Sequence, residues 1–181
     1  MHQSLGVWVL VVVLGWVGST WAQGPLLLQG TKELGLAGTL DFQQESRVVL
    51  DINGRFGYFP RNQLEVGAFA EVSSNFNEFT RYGLGGFAEV HMPHLALLKG
   101  QAIPYGGADL GPEFVHTSLG ADHAALIFRP RIGLKWFIKD YVAIDTNLFL
   151  AVATADIFPN RKNHLDPYDI GIRLGLRIYF Q

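Results

Sequence analysis

Tyr168-Asp169-Ile170-Gly171-Ile172-Arg173-Leu174-Gly175-Leu176-Arg177-Ile178-Tyr179-Phe180 sorts its side chains with a period of two. Tyr168, Ile170, Ile172, Leu174, Leu176, Ile178 and Phe180 share one parity. Asp169, Gly171, Arg173, Gly175, Arg177 and Tyr179 share the other. Successive side chains of a strand leave opposite faces, so the segment reads as a strand with one apolar face and one charged face.

Working back from this end, the same alternation recurs in seven more stretches. Val142, Ile144, Leu148, Leu150 and Val152 oppose Asp145, Asn147 and Ala151. Leu126, Phe128, Ile132, Leu134 and Trp136 oppose Arg129, Arg131 and Lys135. Tyr82, Leu84, Ala88 and Val90 oppose Arg81, Phe87, Glu89 and His91, and Leu64, Val66, Ala68, Ala70 and Val72 oppose Glu65, Phe69, Glu71 and Ser73. Val48, Leu50, Ile52, Phe56 and Tyr58 oppose Arg47, Asp51, Asn53 and Arg55, while Leu34, Leu36, Leu40 and Phe42 oppose Glu33, Thr39 and Asp41. The stretch Ala102 to Phe114 holds Pro104 and Pro112, which lack a ladder donor, so a strand distorted or ragged at its ends is expected there. Turn residues fall between the stretches, at Pro60-Arg61-Asn62, Ser74-Asn75, Met92-Pro93, Lys139-Asp140 and Pro159 to Pro167. Leu95 to Gly100 has room for a short helical turn.

Apolar residues make up 49% of the 181 and charged residues 17%, yet nothing after the first 22 residues is a run of about 20 apolar residues able to span as a helix. Two architectures fit: a soluble β-protein with a large core, or a membrane barrel. The placement of charge favours the second. The apolar faces carry almost none, with Lys32 and Asp156 as end-of-strand exceptions. The polar faces carry both signs. Arg47, Arg55, Arg81, Arg129, Arg131, Lys135, Arg173 and Arg177 stand against Asp51, Glu65, Glu71, Glu89, Asp145 and Asp169, with Glu33, Asp41, Asp109 and Glu113 alongside. An eight-stranded barrel has an interior that side chains fill, and such ions can line it when they pair. A solvated face on a soluble protein would carry the same mixture. Aromatics also gather near strand ends: Tyr58, Phe59, Trp136, Phe137, Tyr141, Tyr179 and Phe180 towards one rim, and Phe42, Phe76, Phe79, Phe158 and Tyr168 towards the other. Two aromatic girdles flanking a lipid band are expected from this.

Residues 1–22 read as a signal peptide. Leu5 to Val17 is apolar apart from Gly15, and Thr20 and Ala22 suit cleavage after Ala22, although the first four residues hold no Lys or Arg. Residues 23–181 then form one barrel domain. The net charge of −2 and the lack of a basic tract argue against nucleic acid as a partner, and the absence of cysteine excludes disulfides and thiol chemistry.

Arg173-Leu174-Gly175-Leu176-Arg177-Ile178-Tyr179-Phe180 resembles the C-terminal assembly signal of bacterial outer-membrane proteins, at Arg173, Gly175, Ile178 and Phe180, although Gln181 follows the aromatic. Gly57-Tyr58-Phe59-Pro60-Arg61-Asn62-Gln63-Leu64-Glu65-Val66-Gly67 and Gly133-Leu134-Lys135-Trp136-Phe137-Ile138-Lys139-Asp140-Tyr141-Val142-Ala143 resemble the strand–turn–strand unit of small porin-like, opacity-type barrels, a family that includes OmpA-like transmembrane domains. The likeness runs over nearly all of residues 26–180. It implies an all-β, eight-stranded, antiparallel, up-and-down transmembrane barrel, recognised by the β-barrel assembly machinery and periplasmic chaperones. It also implies contact with outer-membrane lipids and lipopolysaccharide, and periplasmic turns at Pro60 and Lys139. The Met92 to Gln101 link and both termini are expected on the periplasmic side too. The outer loops, near Gln43, Asn75, His116 to His123 and Pro159 to Pro167, are short.

His116-Thr117-Ser118 is similar to the His-x-Ser pair of barrels that hydrolyse lipid A, base and hydroxyl being the minimum for nucleophilic catalysis. That family's next Asn is Leu119 here, and a polar loop is the expected reading. His91, His94, His116, His123 and His164 match no metal-ligand spacing and are expected to be solvated or hydrogen-bonded. Gly83, Gly85 and Gly86 lie in a strand, so no nucleotide-binding turn is present. The expectation is therefore a monomeric, non-enzymatic outer-membrane barrel without cofactor, serving in envelope structure, surface contact or limited passage of small solutes. A lipid-modifying hydrolase and a soluble periplasmic ligand-binding barrel are the alternatives.

Overall fold

The computed structural model describes residues 27–41, 50–74, 79–117, 122–159 and 165–181. The expected signal peptide, the aromatic positions Phe42 and Phe76, and the charged Arg47 lie outside them.

The strands are β1 (Lys32–Asp41), β2 (Leu50–Arg61), β3 (Leu64–Ser74), β4 (Phe79–His91), β5 (Ala102–Thr117), β6 (Asp122–Lys139), β7 (Val142–Ala153), the short pair β8 (Phe158–Pro159) and β9 (Leu165–Asp166), and β10 (Tyr168–Phe180). Eight of them close a ring in the order β1-β10-β7-β6-β5-β4-β3-β2, every neighbour antiparallel. The expected all-β, up-and-down, eight-stranded antiparallel barrel is what forms. Closure leaves no unpaired edge, which a bilayer would not tolerate. Lys32 pairs with Phe180, so the first and last strands meet at one end of the barrel, here the terminal end. The Asn62–Gln63 and Asp140–Tyr141 turns and the Met92–Gln101 link lie at that same end.

Burial runs opposite to that of a soluble barrel. Leu34, Leu36, Leu84, Leu110, Phe128, Ile132, Leu148, Leu174 and Leu176 are exposed on the outer wall, while Arg129, Arg173, Arg177, Lys135, Glu33, Glu65 and Glu89 are buried within it. A continuous apolar surface around the whole ring marks a face made for a non-aqueous neighbour. No helix among the described residues is long and apolar enough to cross a membrane.

One expectation is met in part and two are corrected. β5 runs unbroken for 16 residues, so its ends are not ragged, but the distortion expected from its prolines is present at Pro112. Its ladder to β4 skips Leu84–Gly85 opposite Gly111–Pro112, while Pro112 stays in register with Leu126 of β6. A missing N–H interrupts one side of a strand, and the other side carries it through.

The aromatic girdles are half of what parity-blind counting gave. Tyr58, Trp136, Tyr141, Phe180 and Tyr168 are exposed, but Phe59, Phe137, Tyr179, Phe79 and Phe158 point inward and are buried. Adjacent residues of a strand must face opposite ways, so each aromatic doublet divides between lipid and lumen. The inward members join apolar clusters. At the terminal end Leu27, Phe59, Ile103, Phe137, Ala143 and Tyr179 form one; towards the far end Phe79, Val115, Ala125, Ile127, Phe149, Ala151, Ile157 and Phe158 form the other.

Finally, His116, Thr117, Asp122 and His123 are strand residues of β5 and β6 rather than loop residues; the short helical turn expected in Leu95 to Gly100 does form, as the 3₁₀ turn Leu98–Gly100, with a second at Pro93–Leu95. Part of the Pro159 to Pro167 segment forms the small β8–β9 pair.

Candidate functional site: the charged lumen

Odd-numbered residues of β1 to β6 and of β7 and β10 project inward, and between the two apolar clusters they form a ladder of ion pairs. Nearest the terminal end, Lys135 of β6 places Nζ 2.7 Å from Glu33 Oε2, 3.0 Å from Glu65 Oε2 and 2.9 Å from Glu89 Oε2. Arg177 bridges Glu33 at 3.0 Å and Asp145 at 2.5 Å, and Tyr105 donates its hydroxyl to the other Asp145 oxygen at 2.7 Å. One level up, Arg55 and Arg131 both clamp Glu89 and Asp109: Arg55 at 3.1 and 2.5 Å, Arg131 at 2.5 Å to Glu89 and through a direct Arg131–Asp109 pair. Above them Arg129 donates two parallel bonds to Glu71, at 2.9 and 2.8 Å, and one to Glu113 at 2.5 Å. Arg173 reaches Glu71 at 3.1 Å. Arg81 lies 3.5 Å from Glu113 and 3.8 Å from Asp51, and Asp51 accepts from Thr39 at 2.8 Å. Asp169 is buried on the same face.

Many of these contacts cross the lumen. In a ring of eight, diametrically opposite strands are four apart; Arg129–Glu71, Arg173–Glu71, Lys135–Glu65, Lys135–Glu33 and Arg55–Asp109 each join strands three apart. Inward aromatics pad the ions. Arg55 and Arg131 lie 4.7 and 5.5 Å from the Phe87 ring centre, and Arg129 and Arg173 lie 5.5 and 5.2 Å from that of Phe149. Such cation–π contacts compensate desolvated guanidinium.

Of the charged side chains read from the sequence as interior, the structure brings Asp51, Arg55, Glu65, Glu71, Arg81, Glu89, Arg129, Arg131, Lys135, Asp145, Asp169, Arg173 and Arg177 into this lumen. Glu33, Asp109 and Glu113 complete it, with Asn53 and Asn147, read from the sequence as polar-face residues, and Tyr105, which that reading did not name, as neutral partners. Tyr105 shares the inward parity, which is the signal that would have found it. Of the residues resembling an assembly signal, Arg173 is in the lumen, Ile178 and Phe180 face outward, and Gly175 sits where a Cβ would meet Ala37 at 2.7 Å.

Of the two expected states, solvated or hydrogen-bonded, His91 takes the second, with Nδ1 3.3 Å from the Gln63 carbonyl oxygen. It is buried under the terminal-end cluster, 5.4 Å from the Phe59 ring and 5.7 Å from the Tyr105 ring, with Nε2 3.7 Å from Glu65 and 3.6 Å from Glu89. Glu65, Glu89 and His91 could geometrically hold a metal ion. The Lys135 ammonium already draws on both carboxylates, and a second cation beside it would be repelled at close range. His116 is exposed on the outer wall, its Nδ1 2.6 Å from Asp122 Oδ1; Ser118 lies outside the described residues.

Comparison with known proteins places this geometry. No family model and no curated protein sequence matches the chain. Solved structures do match in fold. The N-terminal β-barrel domain of Pseudomonas aeruginosa OprF aligns with a TM-score of 0.61 at 15% identity, over 84% of this chain and 98% of that one. Neisserial surface protein A aligns with a TM-score of 0.57 at 17% identity, over 83% and 95%. The outer membrane protein OprG of Pseudomonas aeruginosa aligns with a TM-score of 0.53 at 8% identity, over 89% and 100%. The fold is that of the eight-stranded outer-membrane barrels.

Proposed function

We propose that this protein is a non-enzymatic integral barrel of a Gram-negative outer membrane, with a role in envelope structure or surface contact rather than solute passage. The lumen carries the argument. Side chains from opposite walls meet across it at three levels, and apolar clusters lie at both ends, so the space a solute would use is occupied. The apolar outer wall supports residence in lipid. In this reading the terminal end is periplasmic and the far end faces outside, beside lipopolysaccharide. The assembly machinery and periplasmic chaperones act on the β10 segment, and the barrel works as a monomer.

Fractionation with gel mobility before and after heating tests the placement: a heat-modifiable band in the outer-membrane fraction is expected, and a freely soluble periplasmic pool would reject it. Planar bilayers test the lumen: purified protein should give no stepwise conductance.

One observation favours a second reading, a lipid-modifying hydrolase. The short His116–Asp122 contact holds an imidazole by Nδ1 on the outer wall, the arrangement in which a carboxylate orients a general base. Ser118 two residues on would be the nucleophile. Release of acyl chains from lipopolysaccharide by the wild type, lost in Ser118→Ala, would establish it; no release by the wild type ends it.

A further inference from the structure

The link between β4 and β5 has apolar residues with no role in closing the barrel. Leu95, Leu97 and Leu98 are 53%, 56% and 57% exposed, as open as residues of the outer wall, on a segment that a water-facing turn would fill with polar residues. Ala96 behaves differently: it packs against the terminal-end cluster beneath the lumen. The link thus points one small residue inward and three leucines away.

The register shows where Leu97 points. Leu97 and Ala102 exchange backbone bonds at 2.8 and 3.2 Å, and Ala102 is in turn the partner of Trp136 in β6. Directly paired residues of an antiparallel sheet place their side chains on the same face. Leu97 therefore shares the outer face with Trp136, itself exposed, while Ala102 between them is fully buried. The link is a short extension of the lipid-facing wall beyond the end of the strands. The segment is also tied down rather than free to turn away: Met92 N–H donates to Pro104 O at 2.9 Å and Phe137 N–H to Gln101 O at 2.7 Å. Leu98 and Lys99 hold left-handed φ values of 51° and 59°, a conformation that bulky side chains rarely adopt. Lys99, next to the leucines, has the long stem and charged tip that suit an apolar-to-phosphate boundary.

We infer that Leu95, Leu97 and Leu98 form a foot that dips into the phospholipid leaflet at the terminal end of the barrel, with Lys99 at its headgroups. The occupant is glycerophospholipid, because the leucines continue the wall that lipid already covers and the neighbouring cation complements anionic phosphate. This rests on the membrane reading above, and the test separates the two.

The chain has no cysteine, so single cysteines can carry an environment-sensitive nitrobenzoxadiazole label. Leu97→Cys and, separately, Leu98→Cys are labelled in the full chain folded into phosphatidylcholine–phosphatidylglycerol vesicles containing spin-labelled lipid. Ile132→Cys on the outer wall and Asn62→Cys in the polar β2–β3 turn are the controls. Quenching at positions 97 and 98 should be at least half that at position 132, with iodide from the water reaching them less than it reaches position 62. If 132 is quenched while 97 and 98 behave like 62, the foot does not exist. Shielding of 97 and 98 from iodide without lipid quenching would point to a protein partner and equally overturn the inference. If 132 itself is not quenched, the membrane reading fails, whatever the link does.

Discussion

Arg129 on β6 and Glu71 on β3 meet across the lumen in a two-point contact, both nitrogens of one guanidinium on both oxygens of one carboxylate at 2.9 and 2.8 Å. Glu71 also receives Arg173, and Arg129 also holds Glu113, so the pair ties four strands together. Removing one member of a buried pair strands the other's charge, at about 3–5 kcal/mol. Arg129→Met should lower the barrel's stability to urea in lipid by about that amount. Adding Glu71→Gln should recover part of it; a double variant as unstable as the sum of the singles would mean the two residues act independently.

Gly85 of β4 and Gly111 of β5 face each other at close range. A Cβ on Gly85 would lie 2.3 Å from the Leu110 carbonyl oxygen and 2.8 Å from the Gly111 Cα, both backbone atoms that cannot swing aside. Gly85→Ala should cost at least the 1–3 kcal/mol usual for overpacking and reduce the heat-modifiable fraction. Gly106→Ala, on the outer wall with nothing within 4 Å of its would-be Cβ, should change stability by less than about 0.5 kcal/mol. Equal damage from both would refute the steric account.

Leu148 stands on the outer face of β7 in the middle of its strand, opposite Ile132 and Ile172. Arginine there would enter hydrocarbon, and Leu148→Arg should destabilise the lipid-folded barrel by about 2–4 kcal/mol. The same variant in a soluble barrel would cost almost nothing, so an unchanged urea midpoint in vesicles would argue against a lipid-facing wall.

Phe180 is exposed, so its loss removes little from the finished barrel. If it serves as part of an assembly signal, Phe180→Ala should lower the amount reaching the outer membrane in cells while leaving refolding from urea into detergent at wild-type yield. Loss of both would reassign it to stability. Gly175 cannot make this distinction, since the close approach of Ala37 gives it a packing role as well.

The period of two made the architecture readable, because each barrel strand in a bilayer must show lipid one kind of side chain and the lumen another. Parity alone assigns Lys135, Arg177 and Glu65 to the inside correctly. Position along the strand is a weaker signal. Tyr58-Phe59, Trp136-Phe137 and Tyr179-Phe180 look like girdle residues when counted by nearness to strand ends, yet parity splits every doublet. His91 was likewise legible as inward from its place among Arg81, Phe87 and Glu89, whereas its nearness to a turn left water or a hydrogen bond equally open. Partner choice across the lumen was not legible at all. Which carboxylate Lys135 meets depends on the stagger of strands far apart in sequence, such as β1 and β6, and no local pattern encodes that.

Because each doublet sends one ring outward and the next ring inward, vertical seating and corking are governed by the same few backbone positions. A one-residue slip of β6 against its neighbours would exchange Trp136 with Phe137, forcing the bulkier indole into the packed lower cluster and turning the Lys135 ammonium towards lipid. A misregistered form would thus be penalised twice, by overcrowding within and by a charge without, and the two faults arise together from the same shift.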